Sequence, residues 1–479
     1  MTRRFAFGWE KRVGIGRRLA LRRMSFWKNW NGYTLNRDVG MLDFVVFSGY
    51  AFLLFQMFFG KRELQYIWLL LCVVLFPPCI YFSQSPQVSP LQLCLYSFLF
   101  ICVFIDVRSF GKSLLGNPMV LPLCFLLISL VLCVFVNRDG FKGYYNAGRL
   151  FIENYSYWLL AFYAGTHYRE IVLERRLFYP ILICVGLVMM EIVLSDNIAF
   201  KTICSAFPYY DGLYNLDGTV SALRSYRIRS MGTSVHPTAW GAMCMCTLLF
   251  YAGCAKKLPW GKIKKIIIWM GLLSLILLSG SRTAWLCSAL GLFILAFPKF
   301  SPVAKICCIV AIIGFVALGV GKVVNSLNIE GQGSSLSMRK EQILFSYVQF
   351  MKSPIVGNGV RYTSKYIMER DAYNDRVIDD EIGGLESVVF YQLIDYGLFG
   401  LASYCFMFIF AIAYFIRHRA FKYACPGMAI AFSFGAFAIL SGEIGSNNIF
   451  AYLLVGYCMG AVSQQKILTK DDAEEERGI

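Results

Sequence analysis

"IIIWMGLLSLILLSGSRTAWLCSALGLFILAFP", residues 266–298, holds two apolar runs, 266–280 and 283–298, around a short polar tip that contains Arg282. The flanks decide how it is read. "AKKLPWGKIKK" (255–265) carries five lysines and no acid, and "PKFSPVAK" (298–305) is also basic without an acid. Basic loops stay on the cytoplasmic side of a membrane, so a single crossing would strand one flank on the wrong face, whereas a hairpin satisfies both. The tip "SGSRT" then lies at the outer boundary. An isolated arginine at the bilayer centre costs roughly 2.5–3.5 kcal/mol on insertion scales, which a boundary position facing water avoids.

Working outward, the whole chain has the same character. Of 479 residues 57% are hydrophobic, 16% aromatic and only 16% charged, which excludes a soluble domain. Further apolar runs lie near 42–59, 64–82, 91–105, 118–136, 152–165, 178–195, 235–254, 304–321, 388–416, 425–442 and 449–463. A span needs about 20 apolar residues, and backbone groups in lipid must be satisfied internally. The runs lack strand-like alternation, so the expected fold is all-α: a polytopic membrane helical bundle of about 12–13 transmembrane helices with two long external loops. The expected segments are a basic cytoplasmic tail (1–40), N-terminal spans (41–195), a first external loop (196–234), central spans (235–321), a large external loop (322–386), C-terminal spans (387–463) and a cytoplasmic tail (464–479). Thirteen crossings with the C-terminus inside would leave the basic tail 1–40 outside. The run 152–165, short and interrupted by Glu153 and Asn154, therefore reads as interfacial, which gives twelve crossings with both termini inside.

The opening "MTRRFAFGWEKRVGIGRRLALRRMSFWKNW" has no apolar core of a cleavable leader and reads as lying on an anionic leaflet. The net charge of +17 is accounted for by this tail and the short loops, without nucleic acid. The 17 cysteines are scattered through apolar runs, where a thiol acts as a small hydrophobe, and the three histidines show no metal-binding spacing, so no metal is expected.

Connections within a bundle are usually short, and the 39-residue and 65-residue loops therefore point to function. The first contains "LRSYRIRSMGTSVHPTAWG", with Arg224, Arg227 and Arg229 ahead of a helix that starts near His236 and Pro237. External arginines run against the charge bias and suggest an anion site, because the guanidinium fork binds oxyanions bidentately. His236 reads as structural, proline suiting the first helical turn, while its position keeps it among the substrate contacts. The second loop reads as an amphipathic helix through "SLSMRKEQILFSYVQF", then the Pro/Gly turn "SPIVGNGVRY" with Arg361, and ends in "GGLES" with Glu386. Eight basic and nine acidic residues make it a lid of mixed charge. "GNGV" reads as a plain turn rather than a phosphate cradle, Asp395 as a buried polar contact, and Glu386 as either a base or a helix cap.

These segments resemble the bacterial O-antigen ligase and O-antigen polymerase superfamily. The resemblance lies in "RSMGTSVHPTAWG", "LLSGSRTAWL", "SMRKEQ" leading to "SPIVGNGV", and "ESVVFYQLIDYGLFGLASY", roughly 227–405. In the last, Ser387, Gly397 and Gly400 keep the ligase spacing while Glu386 stands where ligases have histidine, which suits a polymerase. The resemblance implies a metal-independent glycosyltransferase without cofactor in the bacterial inner membrane, active on the periplasmic side. It implies donor and acceptor glycans linked to undecaprenyl diphosphate, with a flippase and a chain-length regulator as partners. It makes Arg229 and Arg282 the diphosphate or acceptor contacts, acting with Glu386 as the candidate base, and adds Arg339 from the lid; Arg361, Arg224, Arg227 and His236 complete the expected substrate contacts. The alternatives are a ligase, or a lipid-linked oligosaccharide flippase; against the latter, the halves show no internal repeat.

Overall fold

The computed structural model describes residues 41–84, 87–167, 178–210, 223–224, 227–255, 260–303, 335–364 and 385–475. Helices dominate: α1 (Met41–Phe59), α2 (Arg62–Leu75), α3 (Pro90–Phe100, continued by a π-turn at Ile101–Ile105), α4 (Val107–Gly116), α5 (Val120–Asn137), α6 (Gly140–His167), α7 (Phe178–Leu194) and α8 (Ile198–Ala206). They are followed by α9 (Pro237–Cys254), α10 (Lys262–Leu278), α11 (Arg282–Ala296), α12 (Ser335–Phe350), α13 (Val388–Arg417), α14 (Ala424–Ser441) and α15 (Asn447–Glu475). Among the described residues strand structure is limited to two-residue antiparallel pairs: Ile80–Tyr81 with Tyr209–Tyr210, Ser83–Gln84 with Gln87–Val88, and Leu223–Arg224 with Arg227–Ile228.

The protein is an all-α multi-pass membrane bundle. Among the described residues α1, α5, α13 and α14 are long and apolar enough to cross a membrane, and two bent helix pairs raise the number to six. Those pairs, α3 with α4 and α7 with α8, turn through 101° and 106°, so α4 and α8 run across the ends of the bundle rather than through it. Residues 304–321 lie outside the described residues.

The hairpin expected over 266–298 is present as α10 and α11, joined at residues 279–281. The interfacial reading of 152–165 is not. These residues belong to the 28-residue α6, and Tyr155 to Gly165 form its buried half, packed against α15. The polar groups that made the run look weak are neutralised locally: Glu153 is ion-paired to Arg149 at 2.7 Å. Contact between α6 and α15 is backbone-close, since a Cβ on Gly460 would stand 2.1 Å from the Phe162 carbonyl oxygen. Gly456 and Gly460 form the small-residue spacing that lets membrane helices approach.

Helix ends sort into two sets. At one end, Ser446 Oγ donates to the Val73 carbonyl at 3.1 Å, Thr233 Oγ1 donates to that of Val74, and the 279–283 and 441–447 turns lie alongside. The start of α1 belongs to this end as well, because Tyr50 donates to the Pro90 carbonyl and Phe47 packs on Phe82 and Phe207. Residue 41 therefore sits at the same end as Ser446. The opposite end carries Arg62, Lys112, Lys262, Lys299, Arg417 and Lys422.

Candidate functional site

The site is assembled around the tip of the α10 and α11 hairpin. Ser230 N–H donates to the Leu278 carbonyl at 3.0 Å, which lays the segment carrying Arg229 along the tip. Gly280 has φ +61°, and a Cβ there would stand 2.7 Å from Cδ of Arg229. Both the left-handed backbone and the arginine stem crossing it require glycine. Ser281 then caps α11, its hydroxyl accepting from Ala284 N–H at 3.3 Å, so Arg282 is the first helical residue. Its side chain is exposed and makes no ion pair with a described residue. A cation in the first turn opposes the helix dipole, whose positive end an anion would satisfy.

The next residue fastens the tip to α14, as Ser441 Oγ donates to Thr283 Oγ1 at 2.7 Å. Gly442 follows at φ +77°, its Cα against the Glu386 carbonyl. Glu386 is thus held beside the hairpin tip through one turn. Capping of α13 falls to its neighbour: Ser387 Oγ accepts from Val389 N–H at 3.2 Å and donates to the Ile439 carbonyl at 2.6 Å. The cap expected of Glu386 is therefore Ser387, and the Glu386 carboxylate binds Arg339 instead. Arg339, near the start of α12, also donates to the Leu440 carbonyl at 3.1 Å, so α12 is clasped to the C-terminal end of α14.

Beyond Ser387 the helix is broken. Gly397 adopts φ 67° and ψ −165° inside α13. The turn after α12 fills the break: Asn358 and Gly359 N–H donate to the Ile394 and Asp395 carbonyls at 3.0 and 3.2 Å, while Leu398 and Phe399 N–H donate to the Pro354 and Ile355 carbonyls at 2.9 and 3.1 Å. Four backbone bonds replace those the kink removes. The amides of "GNGV" that could have faced a phosphate are thus partly spent on α13, in line with a plain turn. Asp395 is a buried polar contact, accepting from Thr363 N–H at 2.8 Å and from its hydroxyl at 2.5 Å.

Residues 266–405 match the O-antigen ligase family. This segment holds the hairpin, Arg282, Arg339, Glu386 and the broken helix with its inserted turn; Arg229 lies upstream of it. It spans under a third of the 479-residue chain. No curated protein matches the chain at a significant level.

Outside the matched segment, His236 caps α9: its Nδ1 accepts from Thr238 N–H at 3.1 Å, ahead of Pro237. Burial and then the charge of Arg229 push its pKa down to about 4, so the ring is neutral at physiological pH. Arg224 and Arg227 face each other across the backbone register of a hairpin, and their side chains lie outside the described residues. Arg361 is not joined by direct contacts to the Arg339 and Glu386 pair. Among the described residues it pairs with Glu153, at 4.0 Å.

A further carboxylate lies next to the site. Glu443 follows Gly442 and accepts from the hydroxyls of Tyr404 at 2.6 Å and Tyr452 at 2.5 Å, with Asn448 Nδ2 at 3.4 Å. Burial, the largest cause, raises its pKa against those three hydrogen bonds. The signal available was an acid between two glycine turns, "SGEIG". Glu191, left unassigned from sequence, accepts from Met231 and Gly232 N–H at 3.2 and 3.1 Å and so holds the segment after Arg229 in place.

Proposed function

We propose that this protein polymerises oligosaccharide repeats carried on undecaprenyl diphosphate into a surface polysaccharide, at the outer face of the bacterial cytoplasmic membrane. The observation that carries the reading is the gathering of Arg229, Arg282, Arg339 and Glu386 about one hairpin tip at one end of the bundle. A lipid diphosphate presents its headgroup at that depth, with its chain in the bilayer. Arg229 and Arg282 hold the phosphates, and Arg282 completes an anion site at the N-terminus of α11. Glu386 is engaged by Arg339 before substrate arrives. A diphosphate draws Arg339 toward itself and leaves the carboxylate able to accept a proton.

The chemistry is one displacement. The acceptor hydroxyl oxygen bonds to the anomeric carbon, the bond from that carbon to the diphosphate oxygen breaks, and the electron pair leaves with the diphosphate. The hydroxyl proton passes to Glu386. A positioned base contributes about 10²–10⁴-fold, and fixed guanidinium groups stabilise the charge that grows on the leaving group. Attack from the opposite face inverts the anomeric centre. Arg224, Arg227 and His236 stand as neighbouring substrate contacts of the same loop, with a flippase supplying the donor and a chain-length regulator limiting the product.

The ligase reading is kept as a second one by the description of the matched family. Glu386, in the position where ligases carry histidine, favours the polymerase. Analysis of a deletion strain separates them: single repeats on the final acceptor mean that a polymerase was lost, and long lipid-linked chains left untransferred mean a ligase. Complementation with Glu386→Gln is expected to fail although the protein still inserts. Restoration of full-length polymer by that variant would remove Glu386 from the chemistry.

A further inference from the structure

A second polar cluster lies at the same end of the bundle, built from α3, α6 and the turn inserted into α13. Glu153 Oε1 accepts from Gln92 Nε2 at 2.7 Å, from the Tyr96 hydroxyl at 3.1 Å and from Arg149 Nε at 2.7 Å. Its other oxygen faces only Arg361 among the described residues, across 4.0 Å. Arg149 is fixed in turn, donating to the Gln87 carbonyl at 3.0 Å. Arg361 is 47% exposed and sits at φ 57°, a left-handed backbone that arginine rarely adopts. That conformation is imposed from both sides. Tyr362 N–H donates to the Gly359 carbonyl, and Thr363 is tied to Asp395. Two aromatic faces flank the cluster: Tyr96 is 39% exposed, and Tyr145, one turn before Arg149 on α6, is 57% exposed.

The charge balance separates this cluster from the arginines at the hairpin tip. One carboxylate between two guanidinium groups leaves less positive charge here than Arg229, Arg282 and Arg339 leave around Glu386, and such a cluster can both accept from sugar hydroxyls and donate to them. Exposed tyrosine rings suit the apolar faces of sugars. A single element connects the two places. Arg339 near the start of α12 binds Glu386, and Gln349 near its end receives Asn358 Nδ2 at 3.0 Å on its carbonyl, Asn358 standing three residues before Arg361. At 1.5 Å rise per residue, Arg339 and Gln349 are about 15 Å apart along the axis, a span of several sugar units.

We propose that Arg361, Glu153, Arg149 and Tyr96 form a subsite for sugar units of the acceptor chain, set apart from the diphosphate contacts and spaced from them by α12. The inference rests on the polymerase reading for the word acceptor, but not for the binding of glycan. It holds that the cluster grips hydroxyls rather than phosphate, and that it positions the acceptor while the hairpin arginines hold the leaving group.

The test uses the full-length protein in lipid nanodiscs and lipid-free oligosaccharides of one to three repeats, released from the polysaccharide of the source strain. Saturation-transfer NMR is expected to detect binding to the wild type, and Arg361→Ala and Tyr96→Ala to weaken it at least tenfold with an unchanged thermal transition. In elongation assays the same variants are expected to raise KM for the lipid-linked acceptor while leaving KM for the donor unchanged. The proposal is overturned if the wild type does not bind the oligosaccharides, if both variants bind them as the wild type does, or if pyrophosphate binds in an Arg361-dependent way in their place. Glycan binding that depends on Arg361 without any elongation of lipid-linked repeats would keep this subsite and sink the polymerase reading; elongation that is indifferent to both variants would do the reverse.

Discussion

The hairpin that carries Arg282 at its tip was legible in the sequence because its two basic flanks called for one. What the sequence could not supply was the company it keeps. Arg229 is brought to the tip by the backbone bond from its neighbour Ser230 to Leu278 and by the open face of Gly280, neither of which leaves a local pattern. The expected outcome of Arg282→Ala is a loss of about 10²–10³-fold in elongation rate, the scale for removing one donor to a developing oxyanion, with normal insertion. Arg282→Lys should recover only part of it, because an ammonium keeps the charge and loses the planar fork. Rates measured with both variants on one donor check this, and full activity of the lysine variant would make the fork irrelevant. His236 offers a test of a different kind. Its pKa in the folded chain is about 4 against an ordinary 6.5, so protonation favours the unfolded state. The stabilisation is complete above pH 6.5 and is lost as pH falls toward 4, at no more than about 1.4 kcal/mol per pH unit. Thermal unfolding in nanodiscs should show this slope in the wild type and a smaller one in His236→Asn, which keeps a capping side chain without the titrating ring.

At the scale of elements, the glycine spacing in 386–405 was readable but its cause was not. Ser387 caps α13, Gly397 breaks it, and the turn at 354–359 enters the break with four backbone hydrogen bonds. The partners are separated by about forty residues, so no periodicity could announce the pairing. For the same reason "GNGV" was legible as a turn while its partner was not. The misreading of 152–165 has another origin. A hydropathy window counts Glu153 and the tyrosines as polar, whereas in the bundle Glu153 is satisfied by Arg149, Gln92 and Tyr96, and Tyr155 and Tyr157 are buried. Gly397→Ala should be among the most damaging single changes in the chain. Its φ and ψ are open essentially to glycine alone, and the added Cβ would stand 2.5 Å from the Ile355 backbone. A loss of about 3 kcal/mol or more follows, with release of the inserted turn. Limited proteolysis should then cut near residue 355 in the variant and spare the wild type; equal resistance would show that the break tolerates a side chain.

At the scale of the molecule, orientation follows from which charges collect at which end. The end opposite the arginine site carries Arg62, Lys112, Lys262, Lys299, Arg417 and Lys422, and Asp106 there is paired with Arg62 at 2.6 Å. The positive-inside rule predicts that this end is cytoplasmic and that the Arg282 and Glu386 end faces out. The same rule applied to the tail 1–40 pulls the other way, since α1 starts at the Glu386 end and α2 returns to it. Charge in short loops sets topology in proportion to how near it lies to the spans, and the loops of the opposite end are short and repeated along the whole chain. They should outweigh one terminal tail. Single cysteines introduced by Met41→Cys, Lys352→Cys and Lys299→Cys in a cysteine-depleted background decide the matter. A membrane-impermeant thiol reagent added to intact spheroplasts is expected to label residues 41 and 352, and to reach 299 only after lysis. Labelling of 299 with protection of 352 would invert the molecule and put the arginine site in the cytoplasm, where a polymer destined for the surface could not be assembled by this route. Labelling of 352 with protection of 41 would instead mean that α1 does not cross, and would restore an even number of spans with both ends of the chain inside.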